Sequence, residues 1–169
     1  MAAGKKLTVA TVAARLTSEL ERLGFVRVKA KTLKLVKKIN DETEIFIHPG
    51  ASRHRGEVFV DPIIGVENTI LRARLLSLDD SLKNSTRVCH ALLGMLDTWG
   101  HFYVKTEDEL EYVASRMARS VVEVGLPIMS EFDTLDKVRK LFHDEVDGTN
   151  RSRVVVLFEK QKLRAIETH

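Results

Sequence analysis

The hydrophobic positions change period several times along this chain, and each change marks an element. Val9, Val12, Ala13, Leu16, Leu20 and Leu23 fall at the spacing of one helical stripe. Thr8 stands at the N-cap position, and Gly24 stands where a helix closes in a left-handed turn. Residues 1–7 read as a loose tail. After Gly24, Phe25, Val26 and Val28 alternate in part with Arg27 and Lys29, and Leu33 and Leu35 flank Lys34. One long or two short strands are therefore expected between Phe25 and Ile39. Asn40-Asp41 signals a turn. Thr43 to His48 places Ile45 and Ile47 on one face, Pro49-Gly50 interrupts, and Glu57 to Ile64 places Val58, Val60 and Ile64 on one face. Matching Ile45 and Ile47 to Val58 and Val60 predicts a hairpin with a long connecting loop. Pro62, which cannot donate to a ladder, then belongs to an edge or a bulge.

Further on, Ile70, Leu71, Leu75 and Leu78 fit a short helix between Glu67 and Leu78, and Asp79 to Ser85 is polar and loop-like. Val88 to Leu96 is apolar enough to be buried, but its period separates neither strand nor helix, and Gly94 argues mildly against a helix interior. Trp99 and His101 to Val104 are expected to close this unit against the core. Thr106 followed by Glu109 is a capping box, in which each side chain satisfies the other's orphan amide. Leu110, Val113, Ala114, Met117, Val121 and Val124 continue as one stripe, which Gly125 and Pro127 should stop. A last clear helix, capped by Asp133 or Thr134, turns Leu135, Val138, Leu141 and Phe142 inward and ends near Asp147-Gly148. Arg153 to Ile166 is a last strand or, by a small margin, a terminal helix. Together these elements predict a single α+β domain over residues 8–169, with a central, mainly antiparallel sheet and about four or five helices against it.

Composition narrows the functional classes. A chain of 169 residues, 44% hydrophobic and 30% charged, can bury a real core without disulfides or metals. Its formal net charge of +3, from 27 Lys and Arg against 24 Asp and Glu, is too small to make the whole surface attract nucleic acid. Any electrostatic function must come from local clusters. The single cysteine, Cys89, rules out an internal disulfide and reads as a small buried hydrophobe. No segment has the form of a signal peptide or a membrane span, so the expected compartment is the cytoplasm. The six histidines include His48 and His54, six positions apart, but no HExxH or Cys/His spacing supplies a third metal ligand. Neither GxGxxG nor GxxxxGK[ST] nor GxSxG occurs, and no cofactor, metal or catalytic residue is expected.

Two basic clusters are the candidate partner-binding sites. The segment 25–38 carries Lys29, Lys31 and Lys34 among six cations with no acid until Asp41. The glycine-flanked stretch 50–56 gathers Arg53, His54 and Arg55, whose guanidinium forks match carboxylate or phosphate. The bland alternatives are a solvated strand face that discourages edge pairing and a solvated hairpin tip. A functional reading makes the ligand anionic, and RNA is one possibility. The segment nevertheless lacks the interleaved aromatics that single-stranded binding uses.

The order of parts resembles small bacterial α+β domains of unknown function. It shares a helix ending in Leu23-Gly24-Phe25, a lysine-rich strand pair, IFIHPGAS, GEVFVDPIIGV, a capped helix ending in VGLPI and then DTLDKVRKLF. Some of those domains are immunity proteins encoded beside polymorphic or contact-dependent growth inhibition toxins. The resemblance implies a non-enzymatic cytoplasmic protein that neutralises one cognate toxin by direct contact. It carries over no catalytic residues. Immunity proteins facing basic nucleases are often acidic, whereas this chain is mildly basic. Its partner is then acidic at the contact, or an acidic patch such as Glu107 to Glu111 or Asp144 to Asp147 is used. The alternative is an RNA-binding module using segment 25–38 and loop 50–56.

Overall fold

A computed structural model describes residues 7–30, 32–71, 73, 87–134 and 136–137. Helix α1 (Val9–Arg22) begins at Thr8, whose Oγ1 accepts the Thr11 amide at 3.1 Å. It ends as the sequence predicts: Gly24 takes φ +85°, and the Phe25 amide donates back to the Leu20 carbonyl at 3.1 Å. Leu7, expected at the end of the tail, is instead buried in the core. The basic segment forms two short strands, β1 (Val26–Arg27) and β2 (Leu35–Lys38), paired antiparallel.

The stretch from Thr43 to Asn68 is one hairpin bent in the middle. Its proximal arms, β3 (Thr43–His48) and β6 (Ile63–Asn68), pair Ile45 with Val66 and Ile47 with Ile64. Its distal arms, β4 (Ala51–His54) and β5 (Glu57–Val60), pair Ala51 with Val60 and His54 with Glu57. The register is continuous: from His48↔Ile63 to Ala51↔Val60, each arm advances three residues. Between them, Pro49-Gly50 and Asp61-Pro62 turn the ribbon from one sheet into another. Gly50 adopts φ +66°, and a Cβ there would lie 1.9 Å from the Asp61 carbonyl oxygen. No side chain fits that pinch. The expected partnership of Ile45 and Ile47 with Val58 and Val60 is thus corrected. All four are buried in the same core, but they belong to different sheets. The expected loop 50–56 is mostly strand β4 and the turn of the distal ladder.

The first sheet has the order β1-β2-β3-β6-β7, where β7 is Arg87–Leu92; the second has β4-β5-β8, where β8 is Phe102–Val104. Every pairing is antiparallel. The ambiguous apolar run therefore splits into strand β7 and a short helix α2 (Leu93–Leu96). Gly94 is inside that helix because a Cβ would sit 1.6 Å from the Gly100 carbonyl oxygen. A close backbone approach outweighs helix propensity here. The side chain of Cys89 lies outside the described residues.

Helix α3 (Glu107–Ser120) has the predicted capping box: Thr106 Oγ1 accepts the Glu109 amide at 3.2 Å, and Glu109 Oε2 accepts the Thr106 amide at 3.2 Å. Its stripe of Leu110, Val113, Ala114 and Met117 is buried. Gly125 and Pro127 do not stop it. The chain widens into a π-helical segment over Val121–Gly125 and continues as α4 (Leu126–Ser130). The wider turn leaves Pro127 in the first turn of α4, where a missing N–H and a fixed φ are tolerated. A Cβ at Gly125 would lie 2.9 Å from Ile64 Cδ1 and 3.0 Å from Leu93 Cδ1, so those side-chain ends would have to shift to admit one.

The architecture is α+β, and four α-helices are among the described residues. Arg15 binds α1 to α3, donating from Nε and Nη2 to the two carboxylate oxygens of Glu111 at 2.7 and 2.6 Å. Thr43 Oγ1 and Asn40 Nδ2 both donate to the Asp133 carbonyl, at 2.6 and 2.9 Å, tying the predicted Asn40 turn to the chain beyond α4. Asn68 Oδ1 caps a helical turn at 69–71, accepting the Ile70 and Leu71 amides. Thr134 Oγ1 accepts the Lys137 amide, as expected of a cap. Residues 1–6, the remainder of the helix expected up to Leu78, the loop 79–85, and the elements expected over Val138–Gly148 and Arg153–Ile166 lie outside the described residues. No helix among the described residues is long and apolar enough to cross a membrane.

Candidate functional site

In the three-stranded sheet, alternation sends Val58, Val60 and Val104 into the core and turns the intervening residues outward. The outward columns carry Ser52 and His54 on β4, Glu57 and Phe59 on β5, and Tyr103 on β8, with His101 just before it. Phe59 pairs directly with Tyr103 and with Ser52. Four rings converge there. Phe59 lies 4.8 Å from His101, 5.4 Å from Tyr103 and 6.4 Å from His54, centroid to centroid. Tyr103 lies 5.6 Å from His101 and 6.1 Å from His54. The contacts are tilted or edge-on, as the ring quadrupole favours. His54, His101 and Tyr103 are exposed and Phe59 is half-buried. An outward-facing cluster of this kind is unusual for a sheet surface, where polar residues normally cover the solvent side.

Charges of both signs border the rings. Glu57 pairs with Lys105 across the strands at 3.0 Å. Asp61 stands at the bend, where burial pushes its carboxyl above the usual range and the nearby His101 partly offsets the shift. At the opposite end, Arg55 and Gly56 form the tip with φ of +47° and +88°. Positive φ at both central residues makes this a two-residue turn of the type that matches strand twist. Arg55 is exposed at its crest.

The predicted site residues separate on this framework. His54 joins the ring face and Arg55 flanks it. Arg53 sits in register with Val58, in the opposite column, and donates to the carbonyls of Gly56 at 3.0 Å and Leu7 at 3.4 Å. It braces the hairpin against the start of α1. The lysine segment is a different surface, and its cations are largely engaged. Lys34 donates to both oxygens of Glu67 at 2.6 and 2.7 Å and lies 5.3 Å above the Phe46 ring. Arg27 pairs with Glu21, Lys38 pairs with Asp41, and Lys37 donates to the Leu23 carbonyl at the end of α1. Lys29 is exposed and makes no ion pair among the described residues. Lys31 lies outside them. His48 belongs to the first sheet, edge-on to Phe46 at 6.2 Å, whereas His54 belongs to the second. No group of three or more His, Cys, Asp or Glu among the described residues could hold a metal ion.

Phe59, His101 and Tyr103 were absent from the sequence-derived candidates, although each left a signal. Phe59 occupies the outward phase of Glu57-Val58-Phe59-Val60, and Tyr103 shares the phase of His101. A large ring in the polar phase of a strand is a mark of a working surface. Phe25 and Phe46, the other phenylalanines near the basic segment, are buried. No protein-family model, curated protein or solved structure matches this chain.

Proposed function

We propose that this is a non-enzymatic binding protein of the immunity type, which neutralises a cognate bacterial toxin domain by direct contact through the outer face of β4-β5-β8. The convergence of His54, Phe59, His101 and Tyr103 on one exposed sheet face carries this reading. Protein interfaces concentrate their energy in a few aromatic anchors at the centre of the patch, with polar groups at the rim. The rings supply the centre, and Glu57, Lys105, Asp61 and Arg55 supply a rim of both signs. A mixed rim suits a protein partner, whose surface also carries both signs.

The same rings support a second reading, an RNA-binding module in which bases stack on Phe59, Tyr103 and the imidazoles. The pairing of Arg27, Lys34 and Lys38 with acids weighs against it, because those cations are already neutralised.

The test is the affinity of Phe59→Ala and Tyr103→Ala variants for the partner protein that a pull-down from the source cell identifies. Tyr103 is 42% exposed, so its truncation leaves the core intact. Each substitution is expected to cost about 2 kcal/mol, roughly thirtyfold in Kd, with weak dependence on salt. Unchanged affinity in both variants removes this face from the interface. Binding of single-stranded RNA that is lost in the same variants and falls steeply with salt replaces the first reading with the second.

A further inference from the structure

A second surface lies across β8 from the rings. An open groove of about 380 Å³ runs between the α2–β8 connection and one flank of α3, lined by Trp99, Phe102, Tyr112, Ser115, Arg116 and Arg119. The four α3 residues recur at helical spacing and form a single row. The aromatic wall is ordered. Trp99 stacks on Phe102 at 4.7 Å with 26° between the planes, and Tyr112 stands edge-on to Phe102 at 6.0 Å.

A chain of polar contacts fixes this wall from beneath. Trp99 Nε1 donates to Ser120 Oγ at 2.7 Å, Ser120 Oγ donates to Asp97 Oδ2, and that same oxygen pairs with Arg116 Nη2 at 3.1 Å. Ser120, which is fully buried, is the last residue of α3 before the π-helical segment. Such segments frequently accompany functional sites. Indole and guanidinium are therefore held in place before any ligand arrives, which lowers the ordering cost of binding. Tyr112, 63% exposed, lines this groove.

The charge count selects the ligand. Arg116 is balanced by Asp97, and Arg119 makes no ion pair among the described residues. Among the described residues, one groove cation without an ion pair thus lies beside the aromatic wall. We propose that this groove binds a small aromatic carboxylate, its ring against Trp99, Phe102 and Tyr112 and its carboxylate on Arg119 and the remaining donors of Arg116. A single carboxylate matches the one groove cation without an ion pair among the described residues, whereas a phosphate monoester, close to a dianion at neutral pH, calls for a second. The volume is at the small end of the roughly 300–1,000 Å³ typical of ligand sites, which fits one or two fused rings.

Trp99 is the only tryptophan in the chain, so its fluorescence reports on the groove directly. Benzoate and indole-3-carboxylate would be titrated into the full chain, with benzamide and phenyl phosphate as comparisons. Saturable quenching by the carboxylates is expected, with benzamide at least about tenfold weaker for want of the charge-assisted hydrogen bonds. Arg119→Glu, a change at an exposed position, should weaken carboxylate binding by at least about tenfold with unchanged thermal unfolding. The proposal is overturned by an absence of saturation with both carboxylates, by equal binding of benzamide, or by full affinity in Arg119→Glu. Tighter binding of phenyl phosphate than of benzoate overturns the carboxylate assignment.

Discussion

The lysine-rich strands β1 and β2 and the ring-bearing face of β4-β5-β8 are opposites. In the first, six cations crowd together in sequence, and folding brings acids or carbonyls to most of those described: Glu21 to Arg27, Glu67 to Lys34, Asp41 to Lys38 and the Leu23 carbonyl to Lys37. In the second, four rings from positions 54, 59, 101 and 103 are brought together with their outer edges left to solvent. A dense cluster in sequence thus became a set of mostly paired cations, while scattered residues were gathered into one face. Local density of charge is a poor guide to availability, because the neutralising partner can stand 33 residues away, as Glu67 does from Lys34.

The bend that creates the second sheet is the sharpest place to break this contrast. Gly50→Ala places a Cβ 1.9 Å from the Asp61 carbonyl oxygen at φ +66°. A left-handed conformation costs a non-glycine residue about 1–2 kcal/mol, and overpacking adds about 1–3, so a loss of ~3 kcal/mol or more is expected in chemical denaturation. The ring face should be damaged before the first sheet. Amide exchange should therefore accelerate in β4 and β5 more than in β3 and β6. Uniform acceleration would show that the two sheets stand or fall together.

Lys34 tests the other side of the contrast. Its side chain is 23% exposed and that of Glu67 18%, so the pair falls between a surface and a buried ion pair. Exposed pairs contribute about 0–1 kcal/mol, and breaking a fully buried one costs about 3–5, so Lys34→Met should cost ~2 kcal/mol by leaving the Glu67 carboxylate uncompensated. Adding Glu67→Gln should recover part of that loss. Partner affinity should stay at the wild-type value, the reverse of the pattern expected for Tyr103→Ala. A Lys34→Met variant of full stability that no longer binds would return the basic strands to the functional surface.

Much of the fold was readable in the residues, and its failures have identifiable causes. The two long helices were clear because their caps and stripes agree: Thr8 with Gly24, and Thr106 with Glu109. The hairpin was clear as an object, but its register was not. A period of two matches Ile45 and Ile47 to Val58 and Val60 as well as to Ile64 and Val66. The choice was made by the two-residue turn at Arg55-Gly56 and the backbone pinch at Gly50, neither of which is a hydrophobic signal. Gly125 and Pro127 misled as a stop because a π-helical widening lets both pass. The ring face was half readable: His54 stood out beside two arginines, and the outward phase of Phe59 could be derived from its strand. Its partners Tyr103, on β8, and His101, just before that strand, come more than 40 positions later, and the pairing of β5 with β8 brings them there.

The smallest expected effect concerns the edge of that face. Burial holds the Asp61 carboxyl above its ordinary range, so the native state binds its proton more tightly than the unfolded chain does. Its contribution therefore favours folding most in acid, below the unfolded-state pKa, and is lost as pH rises through the folded-state pKa. At neutral pH the charged carboxylate is a net cost. Asp61→Asn should accordingly raise the unfolding midpoint slightly near pH 7 and lose that advantage below the ordinary carboxylate range. His101 opposes the shift by favouring the charged form, so replacing it with Asn should enlarge the gain from Asp61→Asn. A gain of the same size at every pH would make the effect one of packing at the bend. A gain confined to neutral pH would make the bend a site where the second sheet retains a charge at some cost to stability, beside the surface proposed to meet a partner.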